Sequence, residues 1–92
     1  MEEWDAAIEQ VVQTLGTDFD THKAIQELAR CNQRQYVAAL AKIDSDTPFH
    51  QLHSSLGRSI KAVCKRLGFT GQESRSLDLF GQHSKCILWS RK

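Results

Sequence analysis

Between Thr47 and Gly68 the chain places Phe49, Leu52, Leu56, Ile60, Val63, Cys64 and Leu67 at steps of three and four. That spacing returns every apolar side chain to one face of an α-helix. The run opens on Thr47-Pro48, a capping residue followed by a proline suited to the first helical position, and closes at Gly68. It predicts an amphipathic helix over Pro48–Leu67, with the apolar stripe centred near Phe49, Ile60 and Leu67. The opposite side carries Gln51, Ser54, Ser55, Arg58, Lys61, Ala62 and Lys65, with Arg66 on one flank and no carboxylate among them. A helix of this kind needs other elements to cover its apolar stripe.

Those elements are visible before and after it. Trp4, Ile8, Val11, Val12 and Leu15 predict a first helix over Glu3–Leu15, ended by Gly16. Thr17-Asp18-Phe19-Asp20 is too short for more than a turn or a single paired strand residue. Asp20 or Thr21 can cap a second helix bearing Ile25, Leu28 and Ala29. Asn32 and Gln35 have the form of a capping box, which predicts a corner at Asn32 and a further helix carrying Tyr36, Val37, Leu40 and Ile43. One continuous helix over Thr21–Ile43 is the alternative, because no glycine or proline enforces the break. Asp44–Pro48 reads as a linker and Thr70–Ser74 as a loop. The end reads as a hairpin, with Leu77–Phe80 and Cys86–Trp89 joined by a turn over Gly81–Ser84. The expected fold is mainly α with a C-terminal two-stranded antiparallel β-hairpin, in a single domain covering residues 1–92. Phe49, Phe69 and Trp89 are expected in its core.

At 92 residues there is room for one core, and a chain of this size buries roughly 60–70% of its unfolded surface. No stretch is apolar for long enough to span a bilayer, and the acidic start Met1-Glu2-Glu3-Trp4-Asp5 is unlike a secretory or transit leader. Cys31, Cys64 and Cys86 are odd in number and widely spaced, which suits neither a disulfide framework nor a zinc motif. Each is placed like a small core residue. A soluble protein of the reducing cytoplasm is the expectation.

Catalytic and metal constellations are weak. His50 and His53 lie three apart on the long helix, but Cys64 is ~16 Å farther along it at 1.5 Å per residue. His53, at the edge of the apolar stripe, reads as a hydrogen-bonded, partly buried side chain. Ser54, Ser55 and the cysteines sit in no nucleophile elbow, and no glycine-rich phosphate loop follows a strand. Gly57, in mid-helix, reads as a site of close approach by a neighbouring helix. The expectations are no enzyme, no cofactor and no metal site.

Charge carries more information. Residues 1–46 hold four basic side chains against nine acidic ones, and residues 47–92 hold eight against two. The overall net charge of +1 hides this polarity. Arg75 precedes the hairpin, His83 and Lys85 lie at or beside its tip, and Arg91-Lys92 end it. A basic hairpin directly after a basic amphipathic helix resembles the winged helix-turn-helix superfamily of DNA-binding domains. The resemblance takes Glu3–Leu15 as first helix, Asp20–Arg30 as second, Pro48–Leu67 as recognition helix and Leu77–Trp89 as wing. It implies that the helix before the wing enters the major groove while the hairpin touches backbone or minor groove. The segment Asn32–Ile43 departs from a simple winged helix, and were it the recognition helix, Arg34 and Gln35 would be its readers. The expected function is binding of duplex DNA. Gln51, Ser54, Arg58, Lys61 and Lys65 would face the groove, and Arg75 and Lys85 would contact phosphates. A protein-interaction module on the same scaffold is the alternative, and single-stranded RNA binding a third reading.

Overall fold

A computed structural model describes residues 2–91, with Met1 and Lys92, the last residue of the expected basic hairpin end, lying outside them. A 3-10 turn at Glu2–Trp4 leads into α1 (Asp5–Leu15), followed by β1 (Asp18–Asp20), α2 (Thr21–Cys31), α3 (Gln33–Ala41), α4 (Pro48–Arg66), β2 (Thr70–Leu77) and β3 (His83–Ser90). The three strands form one antiparallel sheet in the order β1-β3-β2. No helix among the described residues is long and apolar enough to cross a membrane.

The expected two-stranded hairpin is therefore corrected to a three-stranded sheet. Asp18, Phe19 and Asp20 pair with Ser90, Trp89 and Leu88, and the Arg91 amide donates to the Thr17 carbonyl at 2.9 Å. This short strand persists because Phe19 is buried and meets Phe69 edge-to-face at 5.4 Å. The hairpin strands also run longer than expected. Thr70–Ser74, read as a loop, makes up the first five of the eight residues of β2, while Leu79 and Phe80, read as strand, lie in the turn. Arg75 thus sits within a strand rather than before one. The turn is fastened by Asp78, whose Oδ1 accepts from the amides of Phe80 and Gln82 at 2.9 and 3.0 Å. Gly81 completes it at φ 78°, a conformation in which a side chain would be strained.

Helix ends follow local chemistry, with some changes of partner. Asp20 caps α2 as expected, accepting the Lys23 amide at 2.7 Å. The corner at Asn32 is present and the continuous helix is not. The capping box is absent, however: the Asn32 amide side chain donates back to the Leu28 carbonyl, and Gln35 donates to the Glu3 carbonyl instead. Thr47 stands before Pro48, but its side chain makes no cap, and Ser45 Oγ accepts the Thr47 amide.

One cluster of buried side chains joins the layers. Trp4 of the 3-10 turn and Ile8 and Val12 of α1 join Leu28 of α2, Leu56, Ile60 and Val63 of α4, and Trp89 of β3. Burial of each large apolar side chain contributes roughly 1.5–3 kcal/mol. Trp89 also spans the polar junction between helix and sheet: its indole N–H donates to Thr21 Oγ1, which donates to the Ile87 carbonyl. Phe69 and Trp89 are in the core as expected, but Phe49 is 42% exposed. Phe49 lies on the same side of α4 as Leu56 and Ile60, but it sits in the first turn, where it meets Phe80 and His53 instead of the core. Of the cysteines, only Cys64 is buried; Cys86 is half-buried and Cys31 is exposed.

Candidate nucleic-acid interface

The seven residues read from the sequence as a nucleic-acid surface are all exposed. Gln51, Ser54, Arg58, Lys61 and Lys65 fall within one narrow arc of α4, diametrically opposite Leu56 and Val63, because their spacings of three and four return them to that side. Packing buries one side and leaves the other to solvent.

Neutralisation by the acidic half of the chain does not reach this arc. Among the described residues, Glu27 pairs with Lys23 and Arg30, and Glu9 on α1 pairs with Arg66 on the flank of α4. Arg58, Lys61, Lys65, Arg75 and Lys85 have no carboxylate within ion-pairing distance among the described residues. Arg58 instead donates to Ser55 Oγ one turn back at 3.2 Å. Arg75 and Lys85 are direct cross-strand partners.

The fold brings a subset of these groups into one place. A groove of about 660 Å³ runs between α4 and the hairpin, lined by Ser54, Arg58 and Lys61 on one side and by Lys85 and Phe80 on the other. The start of α2 forms its floor, with Ile25 and Thr21 beside Ile87. Lys85 also borders a second hollow shared with Arg75 and Glu73. Gln51 and Lys65 lie on the α4 arc beyond the groove. The alternative reading of α3 fares differently. Arg34 is exposed, but Gln35 is half-buried and tied to Glu3, so that helix presents no continuous reading face.

At the upper end of the groove lies an aromatic cluster that periodicity alone did not disclose. Phe80 meets Phe49 edge-to-face at 5.2 Å and stacks at 20° on His53. His53 Nε2 is 2.6 Å from the Tyr36 hydroxyl, consistent with the half-buried, hydrogen-bonded histidine expected there. Its burial lowers its pKa, opposed by the charge of Asp78. The ring is therefore neutral near pH 7. Asp78 is held below the usual carboxylate range by the amide of Gln82, assisted by that of Phe80. The local signal for this turn, Asp78 three residues before Gly81, was present in the sequence.

Donors for a metal also converge, away from His50 and His53. Asp20, His22 and Cys86 place one ligand atom each within 4.8 Å of one another. In donor type this set could hold a divalent transition ion. The contacts present make it a hydrogen-bonded clasp between α2 and the hairpin. His22 Nδ1 and Nε2 lie 2.8 and 3.1 Å from the hydroxyls of Ser76 and Ser84, and Asp20 is engaged by the Lys23 amide. Burial pushes the Cys64 thiol up to about 11, so it stays protonated at neutral pH.

No protein-family model, curated protein or solved structure matches this chain. The functional reading rests on the residues themselves.

Proposed function

We propose that the chain is a winged-helix-like module that binds duplex DNA through the exposed arc of α4 and the basic hairpin. The observation that carries this reading is a set of five cations, Arg58, Lys61, Lys65, Arg75 and Lys85, that are exposed and paired with no carboxylate of the described residues. Leaving like charges together on a small domain raises its self-repulsion, which a bound polyanion relieves. The small side chain of Ser54 lets the helix approach a groove closely. Arg58 and Gln51 supply fork and amide donors of the kind that read base edges, while Lys61, Lys65, Arg75 and Lys85 suit phosphates. The acidic α1 surface would face away from the duplex.

Titration of random duplex DNA at two salt concentrations tests the proposal. Affinity should fall steeply as salt rises, with a slope set by the number of phosphates neutralised. An Arg58→Ala, Lys61→Ala, Lys65→Ala variant should lose most binding while keeping its melting temperature. A wild-type protein that shows no salt-sensitive association with any duplex overturns the reading. Recovery of a protein ligand on the same arc would then favour the interaction-module alternative.

A further inference from the structure

The groove between α4 and the hairpin has a composition that a regular duplex does not use. Its floor is apolar, with Ile25, Leu79 and Ile87, and Phe80 stands at its upper end. Its rim is cationic, with Arg58, Lys61 and Lys85. The groove is open to solvent along its length, and its volume of about 660 Å³ leaves room for a group the size of a nucleotide.

Phe80 is 59% exposed, an unfavourable placement for a large aromatic, and yet it is held in position. Its amide is fixed by Asp78, and its ring is braced by Phe49 and His53 on α4. A ring so braced offers an open face without needing to be ordered on binding, which lowers the entropic cost of stacking. Among the described residues Asp78 is the only carboxylate that lines the groove, and its Oδ1 is engaged by the amides of Phe80 and Gln82. The histidines at the groove, His22, His50 and His53, add no negative charge. The site therefore combines an aromatic platform, an apolar floor and three unpaired cations.

Resting on the nucleic-acid reading above, we infer that this groove receives an unpaired nucleotide, its base stacked against Phe80 and its flanking phosphates held by Lys61 and Lys85. The domain then prefers a duplex that ends in a single-stranded extension, or contains an extruded base, over a blunt one. Aromatic stacking of a base is a contact that every base can make, so this preference is independent of sequence.

The test compares a blunt hairpin duplex with the same duplex carrying a three-nucleotide overhang that contains 2-aminopurine, at fixed salt. The overhang should bind about ten-fold more tightly than the blunt form, with the 2-aminopurine emission quenched on association. Phe80→Ala should erase the preference and the quenching while leaving blunt-duplex affinity within about two-fold of wild type. Its melting temperature reports whether the turn survives; the quenching in the wild-type protein decides the matter if it does not. Equal affinity for both duplexes, or an overhang that binds without quenching, overturns this inference and leaves the duplex reading standing. Failure to bind either oligonucleotide overturns both. An acidic aromatic peptide that shifts the Phe80 and Lys85 amides where neither oligonucleotide does would assign the groove to a protein segment and likewise overturn it.

Discussion

Arg75 and Lys85 are Cα partners across β2 and β3, so two positive side chains stand opposite one another with no carboxylate of the described residues within ion-pairing distance. Like charges in that relation cost a few tenths to 1 kcal/mol relative to a neutral pair. Replacing Lys85 by glutamate should therefore stabilise the hairpin, by about 0.5–1 kcal/mol, raising the melting temperature by a few degrees. The same substitution should weaken duplex binding several-fold. A variant gaining stability as it loses binding separates a retained functional charge from a structural one.

Two glycines make opposite predictions. A Cβ on Gly71 would lie 2.8 Å from both Ile87 Cγ2 and Trp89 Cζ3, where the indole crosses the strand. Gly71→Ala should destabilise the fold by roughly 1–3 kcal/mol, because Trp89 is locked in the core. A Cβ on Gly57 would meet only Thr21 Cγ2, at 3.7 Å, an ordinary contact. The close approach expected at Gly57 is thus looser than its mid-helix glycine suggested. Gly57→Ala should stabilise by about 1 kcal/mol through helix propensity. Thermal denaturation of both variants checks the pair.

The four cations on α4 should not be equivalent. Arg66 is engaged by Glu9, so Arg66→Ala should change duplex affinity little and stability by no more than about 1 kcal/mol. Lys61→Ala and Lys65→Ala should each weaken binding to all sequences alike and reduce the salt slope by about one. Affinities at three salt concentrations distinguish the cases.

His53 links stability to pH. Burial lowers its folded pKa below the unfolded value, so protonation favours the unfolded chain. Its contribution to stability is complete above about pH 6.5 and is lost as pH falls through the lower, folded value. Denaturant midpoints measured between pH 8 and pH 5 should decline, and His53→Gln should flatten part of that decline. Tyr36→Phe, which removes the hydroxyl from the ring nitrogen, should cost about 0.5–1.5 kcal/mol at pH 8.

Legibility in the sequence followed the range of the interactions involved. The long helix was readable because its signals are local: Pro48 at the start, Gly68 just beyond the end, and apolar returns every three or four residues. Its exposed arc followed from the same periodicity, which is why Gln51, Ser54, Arg58, Lys61 and Lys65 were found together. The third strand was not readable, since Asp18-Phe19-Asp20 is three residues long and its partner, Trp89, lies seventy positions away. Thr70–Ser74 looked like a loop because an exposed edge strand shows no alternation of polar and apolar residues. Exposure of Phe49 was equally hidden: an apolar residue at helical spacing reads as core until the packing decides. The groove itself joins α2, α4 and the hairpin turn, a long-range meeting that no single motif encodes.

Following the backbone amides of isotopically labelled protein as random duplex DNA is added at low and moderate salt tests the central claim most directly. Shifts should concentrate at Gln51, Ser54, Arg58, Lys61 and Lys65 and at Arg75 and Lys85, and should weaken together as salt rises. Shifts confined to α1 or α3, or none at a concentration of duplex that saturates nonspecific binders, would contradict the account.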